Sequence, residues 1–186
     1  MTRLTIYGDF NCPFSALASL RADTLRASHA YEIDWRAVQH DVNIPASGEP
    51  VEGETRHMLA SEISDIMALT TGDEPLELRV PTVRPNTAAA SAAFAAAGQD
   101  DILRQRLYAA LWSEGRDIGL ADELERLGAN LRDYATAAAW QQEFDALPQP
   151  VTPTLLLPDG YKSRGLGALA RLAELATATK GAIDEQ

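Results

Sequence analysis

Apolar and polar residues alternate in two short segments near the start of the chain, residues 3–8 and 31–39. Such alternation is typical of β-strands with one buried face. Between them, from Ser15 to about Ser28, leucine and alanine recur at helical spacing, which predicts a helix. A strand, a helix and a strand in this order predict a βαβ unit with parallel strands and a right-handed crossover.

The pattern becomes helical in the middle of the chain. Residues 56–147 show mainly helical periodicity, although two prolines interrupt residues 78–87 and prevent a regular helix there. Asn130 is a candidate N-cap for the last of these helices, whose apolar face would begin with Leu131 and Tyr134. We therefore expect an all-helical block after the βαβ unit.

The final third returns to strand patterns. Residues 154–157 and 161–163 predict two strands joined by a turn, and regularly spaced leucines predict a helix after them. The simplest assembly is an α/β domain of residues 1–50 and 148–186. In this assembly, an all-helical insertion of residues 51–147 splits the domain.

Composition narrows the range of functions. The formal net charge is −11, from 16 Lys and Arg against 27 Asp and Glu, which disfavours binding to nucleic-acid phosphates or anionic membranes. The first residues lack the apolar core of a signal peptide, and no stretch is apolar enough to span a bilayer. Cys12 is the single cysteine, so an intrachain disulfide and a multi-cysteine zinc site are both excluded.

Cys12 lies where a strand is expected to end and a helix to begin. Pro13 follows it, and proline is favoured at the first position of a helix. The free N–H groups and positive dipole end of a helix can stabilise a thiolate and lower the thiol pKa. Ser15 can offer a hydroxyl to the same sulfur. The alternative is that Cys12 is a small buried apolar residue.

The segment DFNCPFS (residues 9–15) resembles the active-site motif of the DsbA-like branch of the thioredoxin superfamily, in which a second cysteine ends the motif. VTPT (residues 151–154) resembles the cis-proline loop of that superfamily. Residues 106–119 and Asn86-Thr87 resemble the cytosolic FrnE-like subgroup. Together these motifs imply a thioredoxin-like fold with a helical insertion and a cytoplasmic protein.

The resemblance also implies the residues of a site. Cys12 and Ser15 would be catalytic, and a cis Thr152–Pro153 loop would form one wall beside them. The remaining predicted substrate-binding residues are Pro13, Phe14, Asn86 and His40. His40 is included among them because it follows the second strand, at the end where open α/β sheets bind ligands. The alternative is that His40 is a surface loop residue.

Ser15 stands where the family has its second, resolving cysteine, so this chain cannot store an internal disulfide. We expect a nucleophilic Cys12 to attack a disulfide and to form a mixed disulfide with a small thiol or a protein thiol, which an external thiol then resolves. No tightly bound cofactor is expected, and glutathione or another small thiol would be the co-substrate. Two alternatives remain: a non-redox enzyme like kappa-class glutathione transferases and 2-hydroxychromene-2-carboxylate isomerases, or a non-catalytic module that binds peptides or small thiols.

Other motifs contribute less. The segment GLGALA (residues 165–170) matches a dinucleotide-binding pattern, but too little chain follows it for a second strand. It is better interpreted as the turn into the last helix, where Gly165 could contact a small ligand. No pair of histidines has the spacing of a zinc site. Oligomeric state stays open, with a homodimer as one alternative.

Overall fold

The computed structural model describes residues 1–72 and 74–184, and for residues 180–184 it describes the backbone alone. In chain order, the elements are β1 (Thr2–Gly8), α1 (Pro13–Ala27), β2 (Tyr31–Ala37), β3 (Glu49–Pro50), α2 (Gly53–Leu69), β4 (Val83–Arg84), α3 (Ala88–Ala96), α4 (Asp101–Tyr108), α5 (Ala121–Arg126), α6 (Tyr134–Asp145), β5 (Thr154–Leu156), β6 (Lys162–Arg164) and α7 (Leu166–Asp184). A π-helical turn, Ala109–Ser113, continues α4.

The main sheet has the strand order β2-β1-β5-β6 among the described residues. β1 and β2 are parallel, with Thr2 opposite Tyr31 and Gly8 opposite Ala37. β5 runs antiparallel to both β1 and β6. The predicted βαβ unit and the ββα unit at the end of the chain are therefore confirmed, and so is the α/β fold class.

The helices α2 to α6 lie in the sequence between β2 and β5, as the periodicity predicts. The expectation of an all-helical insertion is wrong at the proline-interrupted segment, which contributes β4 and pairs with β3 in a second, two-stranded sheet. α1 packs against α7, α2 and α4, while α3 packs against α6. None of the helices in the described ranges has the length and apolar content of a membrane span.

α1 is anchored to the helical insertion by a buried arginine. The guanidinium of Arg104, fully buried on α4, donates hydrogen bonds to Ser19 at 2.9 Å and to Asp23 on α1. It also pairs with Asp101 at 2.6 Å and lies 5.0 Å from the ring of Trp35. Because a buried charge without a partner is costly, these contacts fix the orientation of α1 against the insertion.

The prediction for the start of α6 is wrong. The helix begins at Tyr134, and the carboxylate of Asp133 accepts a hydrogen bond from the Thr136 N–H at 3.0 Å. Asp133, rather than Asn130, is therefore the N-cap. Leu131 and Tyr134, expected on the apolar face, are 72% and 58% exposed. Leu131 lies before the first helical residue, and the residues that the helix buries are Trp140 and Phe144.

Candidate functional site

Cys12 is the N-cap residue of α1, and Pro13 is the first residue of that helix. The chain leaves β1 at Gly8 and turns through three residues, and the Cys12 N–H then donates to the Asp9 carbonyl at 3.1 Å. The Cys12 carbonyl accepts the Ser15 N–H at 3.0 Å, which starts the helix. Cys12 is only 8% exposed. The predicted position of the thiol at a strand-to-helix junction is confirmed.

The Thr152–Pro153 loop lies directly against this thiol. The peptide bond between Thr152 and Pro153 is cis, as the resemblance implies. The Cys12 Sγ is 3.5 Å from the Thr152 carbonyl oxygen and donates a hydrogen bond to it. On its other side, the Pro153 carbonyl accepts the Gly165 N–H at 2.8 Å, which ties the loop to the turn before α7. Residues 140 positions apart in the sequence therefore meet at one sulfur atom.

The expectation of a lowered thiol pKa is wrong for this arrangement. Burial raises the pKa of the Cys12 thiol, and the Asp9 carboxylate adds to the increase. Hydrogen bonds with Thr152 and with the hydroxyl and N–H of Ser15 lower the pKa, but they do not outweigh burial. The sequence predicts correctly that Cys12 lies at the start of a helix. It does not predict the desolvation of the sulfur, because desolvation depends on the packing of distant residues. At rest, Cys12 is therefore held as a thiol.

Ser15 is fully buried one helical turn after Cys12. Its Oγ accepts the Asp9 N–H at 3.3 Å, which leaves the hydroxyl proton free to donate to the sulfur. The same hydroxyl contributes to lowering the pKa of Cys12. Ser15 thus fills the place of a second cysteine with a group that can stabilise a thiolate but cannot form a disulfide.

A buried carboxylate connects the Cys12 turn to His40. Asp9 is 1% exposed and accepts hydrogen bonds from the Asn11 N–H at 2.9 Å and from the Thr87 hydroxyl at 3.1 Å. Its other oxygen binds both the N–H and the ring Nδ1 of His40, at 3.0 and 2.5 Å. The hydrogen bond to Asp9 raises the pKa of the His40 imidazole. His40 is therefore not a free loop residue, although its side chain is 38% exposed.

A cavity of about 410 Å³ opens onto Cys12. We call it the Cys12 cavity, and its lining residues are Asn11, Cys12, Pro13, Phe14, His40, Met58, Leu59, Glu62, Arg84, Pro150, Val151, Thr152, Gly165 and Leu166. Most of the predicted site residues are in this set. Their roles in catalysis and substrate binding stay predictions.

Three predicted site residues lie outside the cavity lining. Ser15 and Pro153 lie behind the cavity wall and contact it through Cys12 and Thr152. Asn86 instead supports local structure: its amide donates to the Ile44 carbonyl at 2.6 Å and its oxygen accepts the Ala88 N–H at 3.1 Å. In this arrangement Asn86 orients the start of α3 rather than facing a ligand.

Sequence reasoning missed the part of the cavity that comes from the insertion. Leu59 and Glu62 lie one turn apart on α2, and Arg84 comes from β4. Arg84 is paired with Asp41 at 3.5 Å and with Glu49 at 3.1 Å. No local motif marks these positions, because only the packing of the insertion against α1 brings them near Cys12.

The order of the elements, with a cysteine at the start of the first helix and a cis-proline loop beside it, defines a thioredoxin fold. The profile of the DSBA-like thioredoxin domain matches residues 3–143, and the chain belongs to this family. No curated protein matches the sequence significantly.

Solved structures support the same fold. The probable DsbA oxidoreductase of Streptomyces coelicolor superposes with a TM-score of 0.74 at 17% identity, over 97% of this chain and 91% of that one. The cytosolic disulfide reductase DsbM of Pseudomonas aeruginosa, solved with glutathione, gives a TM-score of 0.67 at 19% identity, over 98% and 99% of the chains. A 2-hydroxychromene-2-carboxylate isomerase gives 0.60 at 20% identity, over 98% and 97%.

Proposed function

We propose that the protein is a thiol–disulfide oxidoreductase that acts through Cys12 alone. The observation that carries this proposal is the position of the Cys12 Sγ, which lies at the wall of a cavity and 3.5 Å from the cis-proline loop. This arrangement leaves room for a second sulfur beside the first. Membership of the DSBA-like thioredoxin domain family supports the same chemistry.

The reaction consists of two exchanges. The Cys12 thiolate attacks one sulfur of a disulfide R–S–S–R, a Cys12–S–S–R bond forms, and the departing RS⁻ takes up a proton. A thiolate R′S⁻ from outside the chain then attacks the sulfur of the R group. This second step releases R–S–S–R′ and returns Cys12 to its original state, so that sulfur bonds and electrons balance.

External resolution follows from the residues around Cys12. The chain has one cysteine, and Ser15 occupies the position one helical turn away. We propose glutathione or another low-molecular-weight thiol as the external partner, and the glutathione-bound neighbour supports this choice. A cytoplasmic location and membership of the FrnE-like subgroup are parts of the same proposal, because a reducing compartment supplies such thiols.

One observation favours a second candidate. A buried Cys12 with a raised pKa, beside a serine, is also compatible with a non-redox enzyme that binds a thiol without forming a disulfide. The structural similarity to the isomerase supports this alternative. In that case Cys12 would contact the ligand thiol but would carry no adduct.

Intact-mass spectrometry separates these functions. The wild-type protein is incubated with glutathione disulfide over a range of pH, and we expect one glutathionyl adduct that reduced glutathione removes. Cys12→Ser is the control and should stay unmodified. Absence of an adduct at every pH, with ligand binding retained in Cys12→Ser, would refute the redox proposal and favour the second candidate.

Ser15→Cys tests whether resolution is external. The Ser15 hydroxyl is within hydrogen-bond reach of the Cys12 sulfur, so a sulfur atom in its place would lie close enough for a disulfide. We expect this variant to form an intrachain disulfide with Cys12 and to accumulate no adduct, because the introduced thiol displaces glutathione. An adduct as persistent as that of the wild type would contradict the proposed geometry.

A further inference from the structure

Glu62 is a carboxylate on the wall of the Cys12 cavity that lacks a partner in the described part of the chain. It lies on α2 and is half-buried. The described residues form ion pairs around the cavity, but Glu62 takes part in none of them. Partial burial removes some of the hydration of this carboxylate, and no ion pair in the described part of the chain replaces it.

The two cationic side chains that line the cavity already have anionic partners. His40 is bound to Asp9 at 2.5 Å, and Arg84 is bound to both Asp41 and Glu49. One imidazolium facing one carboxylate is neutral, and one guanidinium facing two carboxylates leaves a negative charge. Glu62 adds another. The described charges around the Cys12 cavity are therefore predominantly negative.

The neighbouring positive charges do not fully stabilise the ionised form of Glu62. His40 and Arg84 are close enough to lower the pKa of its carboxyl, yet burial outweighs them and raises it. The group that would best satisfy this carboxylate is a cation with N–H donors, since such charge-assisted hydrogen bonds are the strongest available to it. An ammonium group offers three such donors. The cavity volume of about 410 Å³ suits a small ligand.

Building on thiol–disulfide exchange at Cys12, we propose that Glu62 is a specificity-determining residue that binds the ammonium group of the substrate. The cavity would therefore select aminothiols and their disulfides, with the sulfur at Cys12 and the amine at Glu62. Glu62 contributes only to binding, so the bonds that form and break at Cys12 are the same as in the two exchanges described above.

Two disulfides of the same length test this inference. Cystamine carries an ammonium at each end, whereas bis(2-hydroxyethyl) disulfide carries neutral hydroxyls. The rate constant for mixed-disulfide formation on Cys12 is measured with each, by intact mass, in the wild type and in Glu62→Gln. We expect the preference for cystamine to fall by about tenfold in Glu62→Gln, which corresponds to the loss of one charge-assisted hydrogen bond.

Glu54→Gln is the matched control, because Glu54 is exposed on the same helix and lies outside the cavity lining. It removes the same charge and should keep the cystamine preference. An equal preference in all three proteins would overturn the inference. A rate that falls equally for both disulfides in Glu62→Gln would also overturn it, since Glu62 would then act on Cys12 itself.

A non-reactive pair of ligands keeps this test separate from the proposed function. 2-(Methylthio)ethylamine and 2-(methylthio)ethanol cannot exchange with a thiol, and their binding is measured by calorimetry. We expect Glu62→Gln to weaken binding of the amine about tenfold and to leave the alcohol unaffected. Failure of Cys12 to react with any disulfide would refute the proposed function while this binding difference persisted. Equal binding of the amine by both proteins would refute the ammonium site alone.

Discussion

Removal of the Asp9 carboxylate should destabilise the turn that carries Cys12. In Asp9→Ala, the N–H of Asn11 and the hydroxyl of Thr87 lose their acceptor, and these residues are 6% and 0% exposed. An unsatisfied buried donor costs about 1–3 kcal/mol, so two of them predict a loss of about 3 kcal/mol. The His40 side chain is 38% exposed, so water can take the place of the carboxylate there. This loss is a large part of a typical stability of about 5–15 kcal/mol.

Urea unfolding followed by circular dichroism measures this loss. Asp65→Ala is the control, because an exposed acidic residue should change the free energy of unfolding by no more than about 0.5 kcal/mol. A loss below about 1 kcal/mol in Asp9→Ala, with an unchanged denaturant slope, would refute the reasoning that the Asn11 and Thr87 donors depend on Asp9.

The same carboxylate predicts a pH dependence. The hydrogen bond to Asp9 raises the pKa of His40 in the folded protein, so the protonated pair stabilises the fold fully below the unfolded value of about 6.5. This contribution is lost as the pH rises through the higher folded pKa. Asp9→Asn should therefore show its largest deficit below about pH 6.5 and a smaller one in alkali. A stability deficit of Asp9→Asn that grows with pH would contradict the proposed stabilisation of protonated His40 by Asp9.

Two further predictions concern the thiol and the strand before it. The rate of Cys12 alkylation by iodoacetamide, measured against pH, should rise with a midpoint above the ordinary thiol pKa of about 8.5, because burial raises the pKa of Cys12. Ser15→Ala should move this midpoint higher, because Ser15 lowers the pKa. A midpoint below about 8.5 would contradict the burial argument. In Gly8→Ala, the new Cβ would clash with Cζ2 of the buried Trp35, so urea unfolding should show a loss of about 1–3 kcal/mol. Gly72→Ala, with open space around it, should be nearly neutral if this clash is the cause.

Local sequence patterns are sufficient for the elements that carry the thiol. Alternation identifies β1 and β2, and the Cys12-Pro13 pair marks the start of α1, since each signal depends on neighbours in the sequence. The start of α6 shows the limit of this approach. Asn130 and Asp133 are both acceptable N-caps, and only the packing of Trp140 and Phe144 decides between them.

The cavity and the thiol pKa are tertiary properties. Glu62 and Arg84 reach the cavity through the packing of the insertion, and neither lies in a motif. His40 could be placed at the correct end of the sheet, but its carboxylate partner is 31 residues away in the sequence. Burial of Cys12 requires the Thr152–Pro153 loop, 140 residues further along the chain. Sequence reasoning therefore located the sulfur but gave the wrong direction for its pKa.

This direction has a consequence for the proposed chemistry. In thiol–disulfide exchange, a thiol of lower pKa leaves faster, and a thiolate of higher pKa is the stronger nucleophile once formed. A low-pKa cysteine therefore suits an oxidase that must release its disulfide to a client. Burial gives Cys12 the opposite property: under the proposed mechanism its thiolate is scarce near neutral pH, which slows attack on a disulfide, and Cys12 also leaves a mixed disulfide slowly. Slow departure from the mixed disulfide is unfavourable for an oxidase, so the proposed exchange depends on an external thiol that drives the release of Cys12.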